Sequence, residues 1–352
     1  MKNGKSFQEI RDEQNPIVKE LERQLKEQKK IIEEIQIDSG QLNLLFNKVV
    51  SALSSIDPQP ILYKPQKESK NHGVIPVLQD TDWHIGEYQK GDEIENINEY
   101  NYEIAKRRIA DLTHRENRII DRFRNAYSIS ESVMIVTGDM ITGNLRDEAN
   151  RTNEFMVPEQ VVKAAEQISS RIMGLAQNIG HLRVEYFTAD NHSRLTKKPE
   201  SKDQGINSFN YLVAVMIQKI IERQNNIEFN IRTELQGIVN IGDLRYLCMH
   251  GHQIKSWSGH AWYGWDRKVG RESKSRLSII MEDFDKIMNI GYNKIVAGHF
   301  HEPINTIHFM LGGSLMGTTA HDHENSRYAP PSQPMWFVDK KYGEFGRIDF
   351  KL

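Results

Sequence analysis

Hydrophobic positions change their spacing as this chain is followed from its start. Up to residue 56 they form a narrow stripe: Val18, Leu21, Leu25, Ile32, Ile35 and Leu42 recur at intervals of three, four or seven. That is the period of a helix with an apolar seam, and Lys and Glu fill its other faces, as in a coiled coil. Gln28 and Ser39 interrupt the seam. Pro16 suits a first turn, and Gly40 breaks or kinks the helix before a second apolar stretch at 42–53. Two uses fit this arm: a solvated helix packed on its own chain, or a surface at residues 16–53 that pairs with another copy or a partner protein. Residues 57–73 hold three prolines, charges and no period, the texture of a linker.

From residue 74 the pattern alternates short apolar runs with longer amphipathic ones. The runs at 74–78, 132–137, 182–188, 245–249 and 292–297 predict strands, and 227–241 predicts several short ones. Helical periods cover 98–126, 158–179, 205–223 and 275–290, the second opening on Pro158. Residues 304–350 are strand-like, punctuated by Gly and Pro. The expected organisation is an N-terminal helical arm (1–56), a linker (57–73) and one α/β domain (74–352). In that domain two sheets pack face to face with helices outside.

Composition narrows the class. Of 352 residues, 38% are hydrophobic and 27% charged, a soluble globular balance. No apolar run approaches the roughly 18 residues that cross a bilayer, so no membrane partner is expected. Lys2 and Lys5 precede no apolar core of a signal peptide. Cys248 is the only cysteine, which rules out a disulfide within the chain and fits a reducing cytoplasm. A net charge of −2 argues against a uniformly basic nucleic-acid binder.

Five polar clusters follow predicted strands: Asp82-Trp83-His84, Gly138-Asp139, Asn191-His192, His250-Gly251-His252 and Gly298-His299-Phe300-His301. In an open α/β sheet, strand C-terminal ends converge on one crevice. Alternation along an extended chain puts His299 and His301 on the same side. Imidazole, carboxylate and amide donors without thiolate suit first-row divalent metals. There are enough donors for two ions, with Asp139 as the bridge. Any one cluster alone reads as ordinary strand-end polarity; His321 and His323 read as a surface loop, and His114 as an exposed helical residue.

The order Asp-x-His, Gly-Asp, Asn-His, His, Gly-His-x-His resembles the calcineurin-like metallophosphoesterase superfamily, over residues 82–301. The resemblance implies a β-sandwich of two mixed sheets flanked by helices. It implies that Asp82, His84, Asp139 and His301 hold one metal and that Asp139, Asn191, His250 and His299 hold the other. His192 would sit beside the phosphate and assist the leaving group. Two divalent ions, manganese foremost but iron, zinc or nickel also accepted, would lower the pKa of a shared water and neutralise the in-line transition state. The sequence departs from the family in its third block, Asp190-Asn191-His192-Ser193, where the acid that commonly follows the histidine is missing. What orients His192 is therefore open. Asn191-His192-Ser193-Arg194 with Lys197-Lys198-Pro199, and the Trp-rich stretch after His252, resemble a phage and prophage branch grouped with SbcD-like repair nucleases. The resemblance implies a host cytoplasm if the chain is phage-encoded.

Substrate candidates come from what lies between the clusters. Residues 256–265 hold Trp257, Trp262 and Trp265, and Arg267, Lys268, Arg271, Lys274 and Arg276 follow. Aromatic faces with cations suit single-stranded nucleic acid or a base; equally, the tryptophans pack the loop onto the core. Arg194, Asn144, Arg146, His252, Trp262 and Arg267 are the expected substrate contacts, with His192 and Asp139 at the reaction centre. The leading expectation is a phosphodiesterase acting on DNA. A phosphatase or cyclic-nucleotide hydrolase with the same site is the second. A scaffold with a vestigial metal site is the third.

Overall fold

The protein is seen here as a computed structural model that describes residues 73–145, 149–255, 262–283, 286 and 290–352. The expected arm, the linker apart from Gly73, Arg146 and residues 256–261 of the tryptophan-rich stretch lie outside the described residues. Among those described, no helix is long and apolar enough to cross a membrane.

The first sheet is built on a parallel core. β1 (Val74–Asp80), β2 (Glu131–Val136), β3 (His181–Phe187) and β4 (Ile227–Arg232) lie side by side. β1 is buried along its whole length and β2 over all but its first residue. Both are therefore near-continuous apolar runs rather than alternating ones, as strands covered on two faces must be. The second sheet runs β5 (Gln236–Ile241), β6 (Leu244–Met249), β7 (Lys294–Ala297), β9 (Phe309–Leu311), β8 (Ile304–Asn305) in spatial order. β6, β7 and β9 are parallel to their neighbours in that order, and β5 and β8 close the edges antiparallel. The chain then returns to the first sheet, where β10 (Ser332–Asp339) pairs antiparallel with β1 and β11 (Gly343–Lys351) with β10. Both sheets are mixed.

The core between the sheets interleaves alternate residues of each. Ile75, Val77, Val133, Ile135, Phe187, Trp336 and Val338 of the first meet Val239, Ile241, Tyr246, Cys248, Val296 and Met310 of the second. Burial of this kind is worth roughly 1.5–3 kcal/mol per large apolar side chain.

Helices cover the outer faces. α1 (Tyr102–Arg124) starts at Asn101, whose side chain accepts from Ile104 N at 2.9 Å. α2 (Val157–Ala176) carries Pro158 in its first turn, and α3 (Phe209–Ile220) is capped by Ser208. α2 packs on α1, α3 and β3. α4 (Trp262–Glu282) covers the second sheet, with Trp265 and Val269 against Leu247, Ile295, Phe309 and Leu311. The helix expected at 275–290 thus begins earlier. Gly264, Gly270 and the clustered tryptophans look like a loop, but the apolar surface of the second sheet selects a helix. A short helix, α5 (Ala320–Glu324), replaces the loop expected around His321 and His323. His114 is exposed on α1.

A buried ion cluster ties three elements together at the site end of β1. The Arg171 guanidinium on α2 donates to Asp80, the last residue of β1, at 2.7 and 2.8 Å. It also donates to Glu116 of α1 at 2.7 and 3.1 Å. All three are fully buried. Burial pushes the Glu116 carboxyl up to about 7 against the pull of Arg171, and the neighbouring Asp80 charge adds a smaller rise. The arginine stays charged, held up by both acids against its own burial.

Candidate metal centre

The five polar clusters lie just past β1, β2, β3, β6 and β7. Beyond the paired ends of β1 and β2 the two backbones stay in step: Asp82 N donates to Gly138 O at 3.1 Å and His84 N to Asp139 O at 3.0 Å. Here the chain leaves extended geometry. Asp82, His84, Asp139, His299 and His301 all have positive φ, between 49° and 74°. That region is sparsely used by residues with a Cβ, and it persists only where surrounding contacts over-determine it. Gly138, at φ 93°, lets Asp190 and the His250 ring close in, since a Cβ there would meet Asp190 Cβ at 2.8 Å. A Cβ on Gly298 would overlap Thr81 Oγ1 and Asp82 Oδ2.

These turns override simple alternation, so His299 and His301 do not serve one side of the chain together. His301 faces Asp82 and His84: its Nε2 lies 3.3 Å from His84 Nε2 and 3.5 Å from Asp82 Oδ1. His299 groups with Asp139 and His250. His250 Nε2 is 3.0 Å from Asp139 Oδ2 and 2.9 Å from Asn191 Oδ1. Asp139 Oδ2 also lies 4.0 Å from His84 Nε2 and 4.0 Å from His192 Nε2. One carboxylate therefore adjoins both groups of donors.

The atoms not pointing inward are held from behind. His250 Nδ1 lies 2.7 Å from Thr137 O and His192 Nδ1 2.8 Å from Thr142 O. A carbonyl only accepts, so both Nδ1 atoms carry hydrogen and both Nε2 atoms turn to the centre. Thr142 O thus does the orienting for which His192 lacks a following acid. Asp190 instead braces the backbone around the centre. It accepts from Asp139 N at 2.9 Å, from Ser193 N and Oγ at 2.8 and 2.6 Å, and from Asn210 at 3.0 Å. Asp82 Oδ2 accepts from Thr81 Oγ1 at 2.6 Å and His299 N at 2.9 Å. Its other oxygen, Oδ1, is buried and has no hydrogen-bond partner.

The charges are strongly interdependent. Burial, then the neighbouring His192, pushes His84 well below the usual imidazole value, and burial does the same to His299. His250 overcomes its burial through Asp139 and rises to about 9. His301 overcomes burial through Asp322 and Asp82 and rises to about 10. Burial opposes ionisation of Asp139, but His250 and His192 hold its carboxyl well below the ordinary range.

These donors fit divalent ions. A first-row ion binds N and O at about 2.0–2.2 Å, so donors sharing it stand about 3–3.5 Å apart. The separations of 2.9, 3.0, 3.3 and 3.5 Å above are of that size. The orphaned Asp82 Oδ1 would gain a partner. Asp82, His84 and His301 suit one ion, Asn191, His250 and His299 another, and Asp139 adjoins both.

Sequence reasoning missed Asp322. It belongs to α5, accepts from Thr319 Oγ1 at 2.8 Å in a capping box, and lies 3.8 Å from His301 Nδ1. The signal was Thr319-Ala320-His321-Asp322, a helix start with an acid at its third position.

A cleft of about 750 Å³ opens over the donors, and His84, Asp139, Asn191, His192, His299 and His301 border it. Of the expected substrate contacts, the described ones do not border this cleft, and Arg146 lies outside the described residues. Arg194 spends its guanidinium on the carbonyls of Thr196 and Lys197, at 2.9 and 3.1 Å. With His252 it borders a separate small recess, and His252 Nε2 lies 3.1 Å from Gln204 Oε1. Asn144 is half-buried and is not part of the cleft wall. Trp262 sits edge-on to Phe309, ring centroids 5.8 Å apart, and Arg267 is exposed on α4. Trp265 stacks on Phe309 inside the core. Lys268 and Arg276 pair with Glu272 at 2.6 and 2.9 Å.

No protein-family model and no curated protein matches the sequence. Among solved structures the chain is similar to an archaeal phosphodiesterase, at 11% identity over 78% of this chain and 100% of that one, with a TM-score of 0.31. It is similar to Vps29 from Entamoeba histolytica complexed with zinc, at 13% identity over 79% and 100% of the two chains, TM-score 0.23. Vps29 from Chaetomium thermophilum follows at 10% identity, 79% and 97% coverage, TM-score 0.24. At such scores the likeness carries no argument about chemistry.

Proposed function

We propose that this chain is a dinuclear metal-dependent phosphodiesterase. The observation that carries the proposal is the place of Asp139, whose Oδ2 lies 3.0 Å from His250 Nε2 on one side and 4.0 Å from His84 Nε2 on the other. A single carboxylate between two donor sets is what a pair of cations needs. Bound there, two divalent ions would supply Lewis acidity, lowering the pKa of a water and neutralising charge on phosphate oxygens.

The chain's own residues do the rest. Asp190 fixes the Asp139 backbone, and the Asp82 side chain is held by Thr81 and His299 N. His192 borders the cleft with Nδ1 pinned and Nε2 inward. In the imidazolium form Nε2 carries a second proton, which it can give to the departing oxygen as a general acid, leaving the neutral ring with its hydrogen on Nδ1.

DNA is the polymer substrate suggested by the sequence. One observation favours the smaller diesters of the second expectation: Glu87, Glu93 and Glu324 border the cleft, and carboxylates repel a long polyanion. With manganese added to metal-stripped protein, bis(4-nitrophenyl) phosphate should be cleaved faster than 4-nitrophenyl phosphate. Asp139→Asn should remove that turnover with the circular dichroism spectrum unchanged. A preference for the monoester would make the protein a phosphatase; wild-type turnover in the variant would sink the two-metal assignment. Short single-stranded, duplex and cyclic substrates then rank the two substrate classes.

A further inference from the structure

Among the described residues few cations border the cleft: besides its histidines, Lys255 and Arg327, against Glu87, Glu93, Asp139, Asp322 and Glu324. Arg327 is half-buried, and its Nε is buried without an acceptor. That is unusual for a guanidinium, whose rigid fork of donors is normally satisfied when it leaves water. Arg171, Arg194 and Arg347, by contrast, each donate to carboxylates or carbonyls.

The backbone holds Arg327 in place. After α5 the chain turns back at Ser326, φ 54°, and Arg327 N donates to Asp322 O at 2.8 Å. Asp322 is the residue whose carboxylate lies 3.8 Å from His301 Nδ1. Arg327 is thus anchored to the His301 side of the centre by a short helix rather than by an open loop.

We infer that Arg327 is a phosphate-binding residue of this cleft, its guanidinium taking non-bridging oxygens of the substrate. This rests on the phosphodiesterase reading above. Arginine is suited to that role because its planar donors match two phosphate oxygens at once. Lys255, exposed on the cleft border, adds a point charge without that geometry. Among the described residues, the acidic ones around the cleft then steer an anion toward the Arg327 fork.

The test compares wild type, Arg327→Gln and Arg327→Lys by isothermal titration, first with manganese and then, manganese-loaded, with inorganic phosphate. Arg327→Gln should bind manganese as wild type does and phosphate roughly tenfold or more weakly, the loss expected for a charged hydrogen bond. Arg327→Lys should recover only part, because it keeps the charge and loses the fork. With bis(4-nitrophenyl) phosphate, Arg327→Gln should raise KM more than it lowers kcat. Unchanged phosphate affinity in Arg327→Gln, or no phosphate binding by wild type, overturns the inference. So does loss of manganese binding, which would make Arg327 a support for Asp322. If wild type binds manganese and phosphate with the predicted contrast but cleaves no ester, the phosphodiesterase reading fails and the phosphate site stands.

Discussion

At the scale of the residue, the centre depends on which nitrogen of each histidine is free. Thr137 O and Thr142 O settle this for His250 and His192, and Asp322 opposes Nδ1 of His301. Without metal, His250 and His301 keep their protons up to about 9 and about 10. Metal needs them neutral, so binding must expel protons. The apparent manganese affinity should therefore climb as pH rises toward those values, and calorimetry in buffers of different ionisation heat should show net proton release. A pH-independent affinity would show that these two imidazoles are not ligands. Asp322→Asn should weaken manganese binding by about 10–100-fold, as loss of a ligand's supporting carboxylate does. The donors themselves were legible in the sequence because each is a polar residue just past an apolar run. Their supports were not, since two are backbone carbonyls, which no side-chain pattern reveals. The third, Asp322, sits in a stretch where Gly and Thr suggest a loop.

At the scale of the element, strand ends do the positioning, and Arg171 anchors one of them. Its fork joins β1 to α1 and α2 two residues before Asp82. Replacing Arg171 by Met leaves Asp80 and Glu116 buried and uncompensated. Breaking such a cluster costs about 3–5 kcal/mol, which urea unfolding would measure; a change within error would mean the cluster contributes nothing. The strands were readable from their apolar runs, and α1 to α3 from their periods and caps. α4 was misplaced because its sequence, rich in Gly, Trp and charge, has a weak period of its own. Helical form there follows from Trp265 and Val269 meeting Phe309 and Leu311 on the second sheet. The positive φ of His299 and His301 was equally hidden, so that alternation alone kept together two imidazoles that the family resemblance parts. A period-two argument holds only while the chain stays extended.

At the scale of the molecule, two mixed sheets bring five loops to one cleft, and we propose that the apolar stripe at residues 16–53, outside the described residues, pairs with another copy or a partner protein rather than packing on its own chain. Removing residues 1–56 should lower the oligomeric mass measured by light scattering; an unchanged mass per chain would leave the stripe to the same chain. The basic runs suggest DNA, yet in the folded chain Arg194, Lys268 and Arg276 spend their charge on nearby carbonyls and on Glu272. The sequence by itself determined the donor chemistry and the order of strands and helices, because residue type and hydrophobic period are local properties. Only the tertiary structure decided how the turns carry the donors into place, which acid supports His301, and that Arg327 rather than the basic runs borders the cleft. Those outcomes depend on contacts between residues far apart in the chain, where spacing along the sequence carries no information.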